Sequence, residues 1–221
     1  LKETFRERMN GIEKGIINGY HWDLEGPECW NICFCPRCIS KFKEFANIEK
    51  EDALTPQIIK RKYPREWVGY CCRQSSLICK YLQDEVHKRN PEAIFGIYSG
   101  LPGFTTQERY RVDWDNAGRY IDFATPSYYS SNESALDHTF SEGMKSIILK
   151  IKSSSDKPVK VLPALTPGYW RNESLQPSAE LMKIQFLKSF AAGCDGIHFW
   201  WWGPFDGKYY QKLAEATSFI T

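Results

Sequence analysis

Three ionisable residues alternate along one short stretch. His21, Asp23 and Glu25 occupy every second position in residues 16–25, I-I-N-G-Y-H-W-D-L-E. Side chains repeat every two residues on a strand, so all three would share one face of a buried strand. Alpha carbons at i and i+2 lie roughly 6.5 Å apart there, close enough for two carboxyls to push their pKa values apart and give one acid and one base. His21, one step deeper, is placed to hold Asp23 by a hydrogen bond. The same trio could ligate a metal ion, or form a buried polar network that satisfies itself.

The elements that must position these groups follow from hydrophobic pattern. Short apolar runs at residues 16–25, 93–99, 121–128, 159–165 and 196–202 read as buried parallel strands. Between them, Trp67, Cys71, Ser75, Ile78, Leu82 and Val86 follow helical three-and-four spacing, as do Leu136, Phe140, Met144, Ile147 and Ile151, and then Leu181, Ile184, Leu187 and Ala191. Strand and helix in alternation predict a parallel α/β fold with right-handed crossovers, and no linker divides residues 1–221 into separate domains. Five strands fit either an open doubly wound sheet or five βα units of an eight-stranded barrel.

Composition removes several function classes. Among 221 residues, 29 basic and 27 acidic side chains give a formal charge of +2, with no long run of one sign, so there is no electrostatic footprint for nucleic acid. No apolar run approaches the roughly 18 residues that a bilayer span needs, and the chain reads as soluble. The first residues, L-K-E-T-F-R-E-R-M, are charged and helix-like rather than a signal peptide, which suggests a processed or partial chain. Eight cysteines are too few for a disulfide scaffold. Cys29, Cys33, Cys35 and Cys38 crowd one loop, where C-x-C-x-x-C can wrap one tetrahedral zinc in a structural role; disulfides or free thiols are the alternatives. Cys71, Cys72 and Cys79 read as small hydrophobes on a helix. Sequons at Asn132 and Asn172 would favour an extracellular location, and a zinc loop a cytoplasmic one.

Residues 25–48, E-G-P-E-C-W-N-I-C-F-C-P-R-C-I-S-K-F-K-E-F-A-N-I, resemble the family 42 glycoside hydrolases (β-galactosidases). The resemblance implies a (β/α)8 barrel whose fourth strand ends in a general-acid glutamate, here Glu25, followed by a zinc loop, here Cys33, Cys35 and Cys38 with Cys29 as a substitute fourth ligand. It places the chain at strands four to eight, with the first three βα units upstream or on another chain. Residues 159–170, V-K-V-L-P-A-L-T-P-G-Y-W, depart from that family, since they hold no strand-seven nucleophile. The strand also resembles the family 18 chitinase signature D-G-x-D-x-D-x-E at Gly19, Asp23 and Glu25, with Asn18 and His21 in place of two acids. That likeness implies protonation by Glu25, while Asp23 orients the substrate's own acetamido group.

Aromatic residues add a second line. If Ile197, Phe199 and Trp201 meet the helices, then His198, Trp200 and Trp202 face the barrel axis, with Tyr98 and Tyr128 inward by the same parity and Trp170 in the loop after strand seven. Rings at the C-terminal ends of parallel strands suit stacking on pyranose faces, although each could be core packing. The expectation is a glycosidase with Glu25 as general acid and Asp23 as assisting carboxylate, a carbohydrate ligand, and no cofactor beyond structural zinc. A non-catalytic carbohydrate-binding protein built on the same barrel is the alternative.

Overall fold

The computed structural model describes residues 2–48, 54–128, 138–166, 177–199 and 207–220. Helix α1 (Lys2–Glu13) turns through Gly15, at φ +67°, into β1 (Gly19–Asp23). Then come α2 (Pro36–Ala46), α3 (Pro56–Lys62), α4 (Pro64–Arg89), β2 (Ile94–Ser99), α5 (Phe104–Tyr110), the one-turn α6 (Trp114–Ala117) and β3 (Phe123–Pro126). The chain continues with α7 (His138–Lys152), β4 (Lys160–Val161), β5 (Ala164–Leu165), α8 (Ala179–Ala191), β6 (His198–Phe199) and α9 (Gly207–Thr217). Proline opens α2, α3 and α4 at positions whose N–H has no helical partner. Thr55 and Ser178 cap α3 and α8 by accepting from Ile58 N and Leu181 N.

The described strands pair in parallel, in the order β1-β2-β3-β4, with β5 beside β6. β4 and β5 are two halves of one strand interrupted at Pro163, which has no N–H to give. Leu162 N donates to Ala124 O and Tyr128 N to Ala164 O, so both halves lie along β3. On their other side, Asp195 N donates to Val161 O and His198 N to Pro163 O. The sheet is therefore five strands wide among the described residues. It is a (β/α)-barrel type of sheet with helices on its outer face.

Strand parity puts Phe95, Ile97, Ala124, Val161 and Leu165 on the helix side, where they join Cys79, Val86, Met144, Ile148 and Met182 in the main core. The other face curls inward. His21 on β1 and His198 on β6, the two outermost strands, bring their ring centroids to 5.3 Å. Two side chains of ordinary length meeting across a five-strand sheet means that the sheet turns through about half a cylinder. Gly96 helps. It sits between His21 and Phe123 in the register, and a Cβ there would collide with the Phe123 ring.

The opposite ends of the strands are held by Asp122. Its carboxylate accepts from Phe95 N at 2.8 Å, His87 Nε2 at 2.9 Å, Lys157 Nζ at 2.9 Å and Gln83 Nε2 at 3.3 Å. Burial would raise its pKa, but Lys157, the Phe95 N–H and His87 outweigh that and hold it below the usual carboxylate value. A second core of Cys29, Phe42, Ile59, Trp67, Val68, Tyr70, Cys71 and Cys72 lies under the cysteine loop, with α4 shared between the two. There Trp67 stacks on Phe34 at 4.5 Å and donates Nε1 to Cys29 O at 2.8 Å.

Candidate functional site

The strand that carries Asp23 ends in a pinned residue. Leu24 is buried, its N–H donates to Tyr98 O at 2.9 Å, and its carbonyl accepts from Ser99 Oγ at 3.2 Å. Glu25 springs from that anchor, one residue past the ladder. Asp23 pairs in register with Tyr98 on β2, and the Tyr98 hydroxyl hydrogen-bonds the Glu25 carboxyl. Partial burial raises the Glu25 pKa and the neighbouring Asp23 charge adds to it, while Arg109 and the Tyr98 hydrogen bond pull it down. Burial raises Asp23 as well. The two carboxyls are thus electrostatically coupled, as their spacing predicts.

Their setting differs from the expected buried strand. β1 covers only Gly19–Asp23, and His21, Asp23 and Glu25 are all exposed, because no described element covers the concave face above them. Nor does His21 hold Asp23. Its Nε2 lies 3.1 Å from Thr125 Oγ1, two strands away, with the Phe123 ring at 5.2 Å and His198 at 5.3 Å. Gly96, with no side chain between β1 and β3, leaves His21 room to reach across to Thr125. Burial, then the nearby His198, lowers the His21 pKa to about 4, against a small opposing effect from the Ile97 backbone; the ring's open edge leaves it partly hydrated. Burial lowers His198 too. Both rings are neutral at pH 7.

His21, Asp23 and Glu25 do not form a metal-binding cluster. Among the described residues the group that could hold an ion is Cys33, Cys35 and Cys38, whose sulfurs lie within 4.8 Å of one another. Sulfurs around one tetrahedral zinc are separated by roughly 3.8 Å, so the three fit that geometry with little movement. A backbone N–H at Cys38, then the Cys33 and Cys38 thiols, lower Cys35 to about 7. Burial and the same thiol neighbours push Cys38 up to about 11. Cys29 does not stand with them. It is fully buried in the second core, its thiol donates to Gln107 O at 3.4 Å and lies against Cys71, and the Trp67 indole holds its carbonyl.

Of the aromatic candidates, Tyr98 and His198 stand on the concave face as expected, and Phe199 turns outward to stack with Phe186 of α8. Tyr128 does not. With Phe123 and Thr125 inward, position 128 points out, and its ring meets Phe140 of α7 edge-on at 4.9 Å while its hydroxyl donates to Phe140 O. Trp170, Trp200 and Trp202 lie outside the described residues.

The structure adds residues that spacing did not indicate. Helix α5, in the segment after β2, packs on the loop at Cys29–Asn31, and Trp30 Nε1 donates to Glu108 Oε1 at 2.7 Å. This contact brings Arg109 beside Glu25 and seats Arg111 against Gly26. The available signal was position alone, since loops at the C-terminal ends of parallel strands carry barrel active sites.

No family model and no curated protein sequence matches the chain. Solved structures do. Bee venom hyaluronidase in complex with a hyaluronic acid tetramer aligns with TM-score 0.54 and 14% identity, over 96% of this chain and 71% of that one. A cold-adapted β-galactosidase from Rahnella sp. R3 aligns with TM-score 0.55 and 14% identity, over 98% of this chain and 39% of that one. These similarities establish the fold class. Among the described residues no helix is long and apolar enough to cross a membrane.

Proposed function

We propose that this chain acts on carbohydrate as a glycoside hydrolase, with Glu25 the general acid and Asp23 the assisting carboxylate. The observation that carries the reading is the coupled pair itself, two carboxyls at i and i+2 on the open rim of curled parallel strands. Glycosidic cleavage needs one protonated carboxyl to release the leaving oxygen and one ionised carboxylate to stabilise the developing oxocarbenium ion. Mutual repulsion keeps the proton on one of the two, and Glu25, beyond the end of the ladder, reaches further into the cleft. Asp23 remains ionised and steadies positive charge at the anomeric carbon, either directly or by orienting an acetamido group on the substrate. Tyr98 fixes the Glu25 carboxyl, and His21 and His198 offer neutral ring faces below it. The fold shared with a hyaluronidase and a β-galactosidase supports the reading at the level of substrate class.

Structural zinc on Cys33, Cys35 and Cys38 would fasten the loop that carries Trp30 to the rim, with its fourth ligand supplied from elsewhere. Three further βα units, from an upstream segment or another chain, would complete the cylinder beside β1. Glu25→Gln tests the central claim: it should abolish release of nitrophenol from aryl glycosides while the circular dichroism spectrum and melting temperature stay close to wild type. Unchanged rates would refute it. One observation favours a non-catalytic carbohydrate-binding protein, namely that the strand formed by Lys160–Val161 and Ala164–Leu165 carries no carboxylate to act as nucleophile. Oligosaccharide binding without any turnover would decide for that second reading.

A further inference from the structure

Arg111 is an unusual cation. It caps α5 in the left-handed region at φ +59°, which a non-glycine residue rarely adopts, and its guanidinium lies so close on Gly26 that a Cβ there would strike Nη2. It is half-buried, its Nε is fully buried with no hydrogen-bond partner, and among the described residues it forms no ion pair. A guanidinium drawn partly out of water without a counter-charge carries a cost, and such groups are ordinarily paired.

Its neighbours among the described residues do not pair with it. Cys71 and Cys72 feel its charge, but their thiols are held strongly toward the protonated form: a hydrogen bond with Cys29 and burial do this for Cys71, and burial for Cys72. The Asp113 carboxylate accepts from Asp115 N and Asn116 Nδ2 and makes no ion pair with Arg111. Two residues back along α5, exposed Arg109 lies beside Glu25 and over the ring of its own neighbour Tyr110. Two guanidiniums thus flank Glu25 and Gly26 at the end of β1: Arg109 faces the Glu25 carboxyl, and Arg111 has no ion-pair partner among the described residues.

We propose that Arg109 and Arg111 form an anion-recognising subsite beside Glu25, so that the glycan taken there carries an acidic substituent, a carboxylate or a sulfate ester, next to the bond presented to Glu25. The inference rests on the carbohydrate reading above and narrows it to acidic glycans. Guanidinium suits this task, because its planar fork matches the two oxygens of a carboxylate or sulfate. Holding the fork against a glycine backbone fixes it in advance. The Trp30–Glu108 hydrogen bond keeps α5, and with it both arginines, docked on the loop that follows Glu25.

The test uses calorimetric titration of the Glu25→Gln protein with matched probes: oligogalacturonate and its methyl ester, and O-sulfated galactan oligosaccharides and their desulfated forms. The expected result is at least tenfold tighter binding of one charged series than of its neutral counterpart, weakening as salt is raised. Arg109→Gln, at an exposed position, should cut that preference several-fold; Arg111→Gln should do the same if it folds. Equal binding of charged and neutral forms, no binding of either charged series, or a preference untouched by Arg109→Gln overturns the proposal. The glycosidase reading is judged separately by Glu25-dependent turnover in the wild-type protein. Cleavage of neutral glycosides alone sinks the subsite and leaves the enzyme, whereas Arg109-dependent binding of acidic glycans with no turnover does the reverse.

Discussion

Replacing His21 with Asn tests the electrostatics of the concave face through stability rather than activity. The His21 pKa falls from 6.5 to about 4 on folding. Between those values the unfolded chain binds a proton that the folded chain refuses, so stability drops as pH falls through that window and is unaffected above it. At pH 4.5 a fully shielded group would lose about 2.5 kcal/mol by this linkage. Because His21 keeps an open edge to solvent, we discount that to roughly 1 kcal/mol. For a chain of this size that corresponds to about 2–4 °C in melting temperature. The raised carboxyls of Asp23 and Glu25 act with the opposite sign, since they take up protons more readily when folded. Comparison with the variant removes their contribution, and the lost contact to Thr125 enters as a constant offset. The assay is denaturant or thermal unfolding of both proteins from pH 7.5 to 4.5. The wild type should lose about 1 kcal/mol more than His21→Asn across the range. Parallel curves would refute the placement of His21 against Thr125, Phe123 and His198.

Three further outcomes follow from the same structure. Asp122→Ala leaves the Phe95 N–H, His87 and Lys157 without their shared acceptor and should cost roughly 2–4 kcal/mol in chemical denaturation. Because the Asp122 pKa is depressed on folding, its contribution is present above the unfolded value and should vanish as pH drops through the folded one. Gly96→Ala forces the Phe123 ring away from His21 and should cost about 1–3 kcal/mol with a visible change in near-ultraviolet dichroism; a neutral substitution would argue against the curl of the sheet. Purified protein should bind close to one equivalent of zinc, read by a colorimetric chelator. Cys35→Ser should release it, while Cys29→Ser should leave it bound.

Much of the scaffold was legible because it rests on periodicity. The five apolar runs became the five strand positions, and the three-and-four pattern from Trp67 to Val86 falls within α4. What failed was phase and long-range placement. Parity with the other strands points Tyr128 inward, but the register Gly96↔Phe123 sets its direction outward, and nothing in I-D-F-A-T-P-S-Y reveals that register. Cys29 looked like a zinc ligand by proximity in sequence; the decisive fact is an indole 38 residues away that holds its carbonyl in the second core. The coupling of Asp23 and Glu25 was readable from spacing alone. Arg109 and Arg111 were not, because their approach to Glu25 depends on how α5 folds back over the loop after β1.

The outer edge of β1 has a physical consequence of its own. Among the described residues no strand pairs with it, and alongside runs a groove of about 660 Å³ lined by Phe5, Tyr20, Trp22, Ile78 and Leu82, with Arg8 at its margin. Unsatisfied backbone donors and acceptors beside greasy side chains make a template for sticky self-association. Two copies joined there would still not make a narrow tube, since twice five staves exceed the eight that let His21 and His198 touch across the bore. Arg8 is the charged side chain lining that border, and burying it against an apolar neighbour would carry a desolvation cost.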